Sequence, residues 1–271
     1  MSAVVREGHR VAVPLRLRTA VVLGLASLIG LMMLGWPLLL NADSTQRVDP
    51  PFFFLLLLPV ILAVVLAEIG EGGMDARVLA ILGVLSAINA VLRAASAGTA
   101  GLELVFFLLI LGGRVFGPGF GFVLGCTSLF ASALMTAGVG PWLPFQMLVA
   151  GWVGMVAGLL PRRVSGRREI VMLVVYGVFA AYAYGLMMNL WGWPFILGIQ
   201  VPGQDSTDLS YVPGAPMLEN LQRFFLYTLF TSTLGWDTGR AITNALAIAL
   251  LGPAVLTTLR RAARRARVER R

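Results

Sequence analysis

The feature that most restricts this chain is the recurrence of long, uncharged apolar runs. They fall at roughly 18–40, 52–68, 77–93, 103–113, 118–137, 142–160, 170–194 and 239–257. A helix needs about 20 apolar residues to cross the hydrocarbon core, and a helix satisfies its own backbone polar groups there. Most of the runs are long enough. That at 103–113 is short, and either forms a tilted or partial span or borrows residues from the Ala/Gly-rich stretch before it. The chain is 58% hydrophobic and only 13% charged, too few charges to cover the surface of a soluble domain of this size. The expectation is an all-α fold, a polytopic transmembrane helical bundle. The run from Thr19 to Leu40 follows Arg6, Arg10, Arg16 and Arg18, exceeds a secretory h-region in length, and reads as a retained helix.

Charge placement orients such a bundle. The formal net charge is +8, and every basic side chain is Arg, with no Lys. In a membrane protein this charge belongs to cytoplasmic loops and tails rather than to nucleic acid. The N-terminal arginines, the loop with Arg162, Arg163, Arg167 and Arg168, and the tail from Arg260 to Arg271 then lie inside. An even number of spans places both termini in the cytoplasm of a cell-membrane protein. Arg114 and the segment from Glu68 to Arg77 fall on the same side. The segments from Asn41 to Pro51 and from Phe195 to Asp237 fall outside. The second of these carries Pro202-Gly203, Asp205, Asp208 and Pro213-Gly214, then a semi-apolar stretch from Leu218 to Leu234. That stretch is expected as an interfacial amphipathic helix or a loop packed on the bundle. A connection of this length either covers a ligand or is a passive excursion.

Reactive groups are scarce. One histidine, His9, and one cysteine, Cys126, leave no metal site of nitrogen and sulfur ligands, and no cofactor is implied. The glycine-rich run from Gly112 to Gly119 lacks the Lys-Ser/Thr pair of a phosphate loop and reads as a tight turn. Acidic residues are nearly absent from the runs, Glu68 and Glu103 lying at their ends, which argues against a transporter energised by its own buried carboxylates. A membrane enzyme of lipid or isoprenoid metabolism would need acidic or histidine clusters at a membrane face, and none is visible. A structural or assembly protein relying on small-residue stripes is the other alternative to a binding role.

Candidate binding groups gather at one membrane level. In Gly138-Val139-Gly140-Pro141-Trp142-Leu143-Pro144-Phe145-Gln146-Met147, Trp142 and Gln146 are i and i+4 on one helix face. An aromatic surface beside an amide suits a flat polar ligand; an interfacial tryptophan and a helix–helix hydrogen bond explain the same pair. Asn89 and Arg93 stand near the outer end of the third run, Asn189, Trp191 and Trp193 near that of the seventh. Snorkelling of Arg93 and interfacial anchoring of the tryptophans are the alternatives. Gly154 and Gly158 form a GxxxG pair suited to close helix packing. Ala76, Ala80, Gly83, Ala87 and Ala90 recur at three- and four-residue steps, a stripe that admits a helix from this chain or from a partner.

The stretch Leu109-Ile-Leu-Gly-Gly-Arg114-Val-Phe-Gly117-Pro118-Gly-Phe-Gly121, with Ser132, the Gly138–Met147 segment and Gly151-Trp-Val-Gly154, resembles the substrate-binding S components of energy-coupling-factor (ECF) transporters. The similarity is best over roughly residues 76–160. It implies a six-helix core that binds a vitamin from the outer face, without enzymatic activity, alongside a transmembrane coupling protein and two ATPases. The core would occupy 72–258, with 1–71 a two-helix N-terminal addition and 259–271 a basic cytoplasmic tail. It also implies an AxxxA-type face toward the coupling protein, matched by Ala76 and Ala80 and extended by Gly83 and Ala87. The GPW-x-PFQM segment is most similar to cobalamin-type members.

Overall fold

A computed structural model describes residues 17–39, 54–71, 74–96, 101–196, 200–201 and 204–268. Arg6, His9, Arg10, Arg16, the Asn41–Pro51 segment, Pro202-Gly203, Arg270 and Arg271 lie outside the described residues. Besides one turn at Trp36–Leu39, the helices among the described residues are α1 (Leu17–Leu34), α2 (Phe54–Glu71), α3 (Ala76–Ser96), α4 (Val105–Phe116), α5 (Pro118–Met135), α6 (Leu143–Leu159), α7 (Arg167–Gly192), α8 (Met217–Thr228) and α9 (Thr238–Val268). The fold is an all-α bundle, with one short antiparallel ribbon pairing Gln200–Val201 with Gln204–Asp208. Among the described residues, five stretches are long and apolar enough to cross a membrane: Leu17–Leu34, Ala76–Ser96, Pro118–Met135, Arg167–Phe195 and Met217–Ala266.

The short run is the centre of the bundle. All 12 residues of α4 are buried, and α3, α5, α6, α7 and α9 all pack on it. Its sequence is apolar on every side, as burial on every side requires. At 1.5 Å per residue it is about 18 Å long, well short of the roughly 30 Å hydrocarbon core. Gly112 and Gly113, expected in a turn, lie inside this helix. The turn is made by Gly117, whose φ of 115° is closed to residues with a Cβ, and Pro118 then opens α5 where its missing N–H costs nothing.

Glycine sets the tightest contact. A Cβ on Gly125 would lie 2.5 Å from the Ala150 carbonyl carbon, and one on Gly154 only 2.6 Å from that of Gly121. The backbones of α5 and α6 therefore touch, with Gly113 of α4 against Gly154 as well. Close approach of this kind replaces the hydrophobic driving force that helices lack in lipid. The GxxxG pair serves the packing expected of it: Gly158 meets the Gly117–Pro118 backbone.

Helix α3 has two unlike faces. Asp75 caps it, accepting the Val78 N–H at 2.9 Å. One face buries Val78, Leu82, Leu85, Ser86, Asn89 and Ala90. The other leaves Ala76, Ala80, Gly83 and Ala87 exposed, with open space beyond Gly83. Helices α1 and α2 pack on α5, α6 and α7. There Gly30 admits Leu148 and Trp152, and the Trp152 Nε1 donates to Ser27 Oγ at 2.7 Å.

The polar excursion expected from Phe195 to Asp237 is confined to its first half. Helix α8 runs without a break through a nine-residue π-helical segment, Leu229–Asp237, into α9. Polar residues lower its hydropathy, yet they serve the helix: Glu219 pairs with Arg223 at i,i+4 over 2.9 Å. Asn220 meanwhile bonds both the N–H and the carbonyl of Val212, tying the preceding loop down.

Candidate functional site

Two buried ion clusters occupy opposite ends of the bundle. Arg240 and Arg260 belong to them, and the intervening turns of α9 span about 30 Å at 1.5 Å per residue. At the arginine-rich end, Arg114 of α4 donates from Nε to Glu169 Oε1 at 2.7 Å, from Nη1 to the Leu160 carbonyl at 2.9 Å and from Nη2 to that of Val164 at 3.0 Å. Arg260 reaches the same carboxylate at 2.6 and 2.7 Å. Each nitrogen of Arg114 is satisfied by a protein oxygen, and the cluster closes the α6–α7 connection over α4.

At the other end, Arg240 in the first turn of α9 donates from Nε to Glu103 Oε2 at 2.6 Å and from Nη1 to Asp237 Oδ1 at 3.0 Å. Ser232 donates to Asp237 Oδ2 at 2.7 Å. The guanidinium carbon lies 5.1 Å from the Tyr184 ring centre and 5.7 Å from that of Phe106, a cation–π arrangement strengthened by its removal from water. Asn244 donates to the Glu103 backbone carbonyl at 2.7 Å, so the lead into α4 is fixed to α9. Gly185 is required here, since a Cβ would collide with the Asp237 carboxylate.

This second cluster opens on a cavity of about 280 Å³. Gln146 enters it from α6; Tyr184, Met188 and Asn189 from α7; Tyr227 from α8; Thr231, Ser232, Trp236 and Asp237 from the π-helical segment; and Arg240 from α9. A π-helical turn widens the backbone and redirects its side chains, which is why such turns concentrate at functional sites. The wall thus joins apolar aromatic surface to a few convergent polar groups, the usual make-up of a small-molecule site.

Of the residues selected from sequence, Gln146 and Asn189 line this cavity. Arg93 stands one bond behind, donating to Gln146 Oε1 at 3.2 Å and to Ser132 Oγ at 3.0 Å. Asn89 lies one turn deeper, its Nδ2 on Ser128 Oγ at 3.1 Å. With the Ser86–Thr127 hydroxyl pair at 2.7 Å, these bonds form a polar ladder between α3 and α5 that ends at Gln146. Trp142 does not line the cavity: it is 42% exposed and donates to the Gly138 carbonyl at 3.2 Å. Trp193 does not line it either. Its ring is 0% exposed, packed with Leu209, Tyr211, Phe224 and Tyr227, and its Nε1 donates to the Leu209 carbonyl at 2.8 Å. Burial pushes the Tyr211 phenol above its usual range, keeping it neutral within this cluster.

The sequence reading places Glu68 and Glu103 at the ends of runs and assigns no site role to Glu103, Asp237 or Arg240; in the structure Glu68, Glu169 and Asp237 are all buried. The available signal was Asp237-x-x-Arg240, a helical ion-pair spacing at the head of an apolar run. Hydropathy alone ended the preceding segment at that point and hid it.

A membrane-spanning bundle with a polar cavity at one end has the build of a solute-binding membrane protein. Residues 77–263 match the family model for the ECF transporter substrate-specific component, and the chain belongs to that family. It is therefore a multi-pass membrane protein and a substrate-binding subunit of a transporter, rather than an enzyme. Such a subunit works with ECF coupling and ATPase modules. No curated protein and no solved structure matches the chain.

Proposed function

We propose that this chain captures a vitamin from outside the cell in the cavity beside Arg240, and delivers it with energy supplied by a transmembrane coupling protein and two ATPases. The observation that carries the reading is the cavity itself, lined by the ion-paired Asp237 and Arg240 and by polar atoms that the protein leaves unengaged. Its orientation follows from Arg163, Arg167, Arg168, Arg261, Arg264 and Arg265, all exposed at the opposite end. The positive-inside rule puts that end, and both termini, in the cytoplasm. The cavity then faces outward, with Gln146, Asn189 and Arg240 at the ligand and Arg93 and Asn89 supporting Gln146. Trp142 and Trp193 act at the rim and behind the wall.

The coupling protein docks on Ala76, Ala80, Gly83 and Ala87, whose exposure suits close approach of a second helix. Residues 72–258 form the binding core, 1–71 an addition whose helices α1 and α2 brace the core, and 259–271 a basic tail that begins within α9. Cobalamin, the ligand the GPW-x-PFQM segment suggests, is several times larger than the cavity of about 280 Å³, which is open on one side. A compact vitamin is the better fit to a space of that size.

The test is a thermal-shift screen of the purified full-length protein against the water-soluble vitamins. At a hundredfold excess over Kd a ligand stabilises by about 2.7 kcal/mol, a shift that is readily measured. Uptake into vesicles should require the coupling module and ATP. Absence of any stabilising vitamin, cobalamin included, would end the binding-subunit reading.

A further inference from the structure

The cavity's hydrogen-bonding groups are unevenly used, and the imbalance defines what can bind. This inference rests on the binding reading above and narrows it. The carboxylate and Gln146 acceptors at the Arg240 side are already engaged. Asp237 takes Arg240 on one oxygen and Ser232 on the other, and Glu103 Oε2 takes Arg240. Gln146 Oε1 takes Arg93. The orientation of that amide is fixed by chemistry, because arginine only donates and so must face the oxygen.

The donors are not engaged. With its oxygen on Arg93, Gln146 presents Nε2 to the cavity, and that nitrogen has no hydrogen bond among the described residues. Asn189 Nδ2 is buried without a partner. Arg240 uses Nε and Nη1 on carboxylates, while Nη2 makes no hydrogen bond among the described residues. These three side chains enter the same cavity from α6, α7 and α9. The charges nearby cancel, two arginines (Arg93, Arg240) against two carboxylates (Glu103, Asp237).

We infer that the ligand is a compact, flat molecule rich in carbonyl or carboxylate acceptors, neutral or singly anionic, and without a fixed positive charge. Its oxygens accept from Gln146 Nε2 and Arg240 Nη2, with the Asn189 amide beside them, and its ring lies against the Tyr184, Tyr227 and Trp236 wall. A fixed cation is rejected for a physical reason. It would be buried beside two guanidinium groups, with the nearby carboxylates already committed, and an unpaired buried charge is strongly unfavourable. It would also leave the Gln146 and Arg240 donors unsatisfied, which is how polar sites reject ligands that cannot complete their hydrogen bonds.

The full-length protein in nanodiscs is titrated with biotin, nicotinate and pantothenate as acceptor-bearing probes, and with thiamine and pyridoxamine as cations, within a panel of all the water-soluble vitamins. The expected result is binding of at least one acceptor-bearing compound and of neither cation. Gln146→Glu is the decisive variant. It is isosteric and keeps an oxygen for Arg93, so the fold is retained, but it replaces the Nε2 donor with an acceptor. It should weaken the acceptor-bearing ligand tenfold or more, as should Asn189→Asp, with the melting temperature of the ligand-free protein unchanged. Tight binding of thiamine or pyridoxamine overturns the inference and leaves the binding-subunit reading standing. So does unchanged affinity in Gln146→Glu, whichever vitamin binds. No binding by any vitamin overturns both.

Discussion

The two ends of the bundle are built from the same ingredients and finish differently. Each has a buried arginine facing carboxylates: Arg114 with Glu169 of α7 at one end, Arg240 with Glu103 from the lead into α4 and Asp237 three residues back at the other. At the Arg114 end a third residue, Arg260, and two backbone carbonyls complete the set, and α6, α7 and α9 close over it. At the Arg240 end the π-helical segment holds the wall open, and amide and guanidinium nitrogens are left facing a cavity. Buried ions are therefore not a mark of a site in themselves. Completion by protein groups makes a clasp; incompletion beside a cavity makes a place for a ligand.

Removing each arginine is the strongest way to break this comparison. Arg240→Met leaves two carboxylates without their cation, and breaking a buried pair in this way costs about 3–5 kcal/mol. The melting temperature should fall steeply and ligand binding should be lost. Arg114→Met should destabilise clearly but less, because the Leu160 and Val164 carbonyls lose their donor while Glu169 keeps Arg260. Ligand binding per folded molecule, measured by titration below the lowered melting temperature, should nevertheless persist. Equal loss of binding in both variants would show that the ends are not separable.

Packing between the ends supplies a control of intermediate size. Gly154→Ala drives a methyl into the Gly121 backbone, and such overpacking costs about 1–3 kcal/mol. Stability should drop with little change in affinity, since the contact belongs to neither cluster.

Gln146→Glu sharpens the contrast from the other side. The expected tenfold loss of affinity corresponds to about 1.4 kcal/mol with stability retained, the reverse of the Gly154→Ala pattern. Isothermal titration alongside thermal melting separates the two.

The smallest effect on the isolated protein should come from Ala80→Leu. That position is exposed, and surface changes of this kind stay within about 0.5 kcal/mol. Binding should be untouched, while co-purification of the coupling protein with this chain should fail. Retained assembly would remove the stripe from the partner interface.

Much of the fold was legible because lipid compatibility is recorded residue by residue. The apolar runs named the helices, and the Gly154/Gly158 pair named a close packing face. Part of the site was legible too: Gln146 and Asn189 are polar groups at the ends of apolar runs, and both reach the cavity. Trp142 and Trp193 were equally conspicuous, but hydropathy does not say where an indole points. One lies on the surface and the other fills a satellite core. Glu103 and Arg240 were hidden for a different reason. Each sits at the edge of a run, where a charge is ordinary, and their 2.6 Å contact joins residues 137 positions apart.

The sequence by itself determined that this chain is a multi-helical membrane bundle with an arginine-rich end, because transfer into lipid is a sum over local side chains. Tertiary structure alone decided that the shortest apolar run is the central helix, that α8 and α9 are continuous through a π-helical segment, and that one ion cluster is closed while the other borders a cavity. Those outcomes depend on which polar atoms meet across the bundle and which are left without partners. Whether a donor is satisfied is a property of contacts between distant segments, and no run of neighbouring residues contains it.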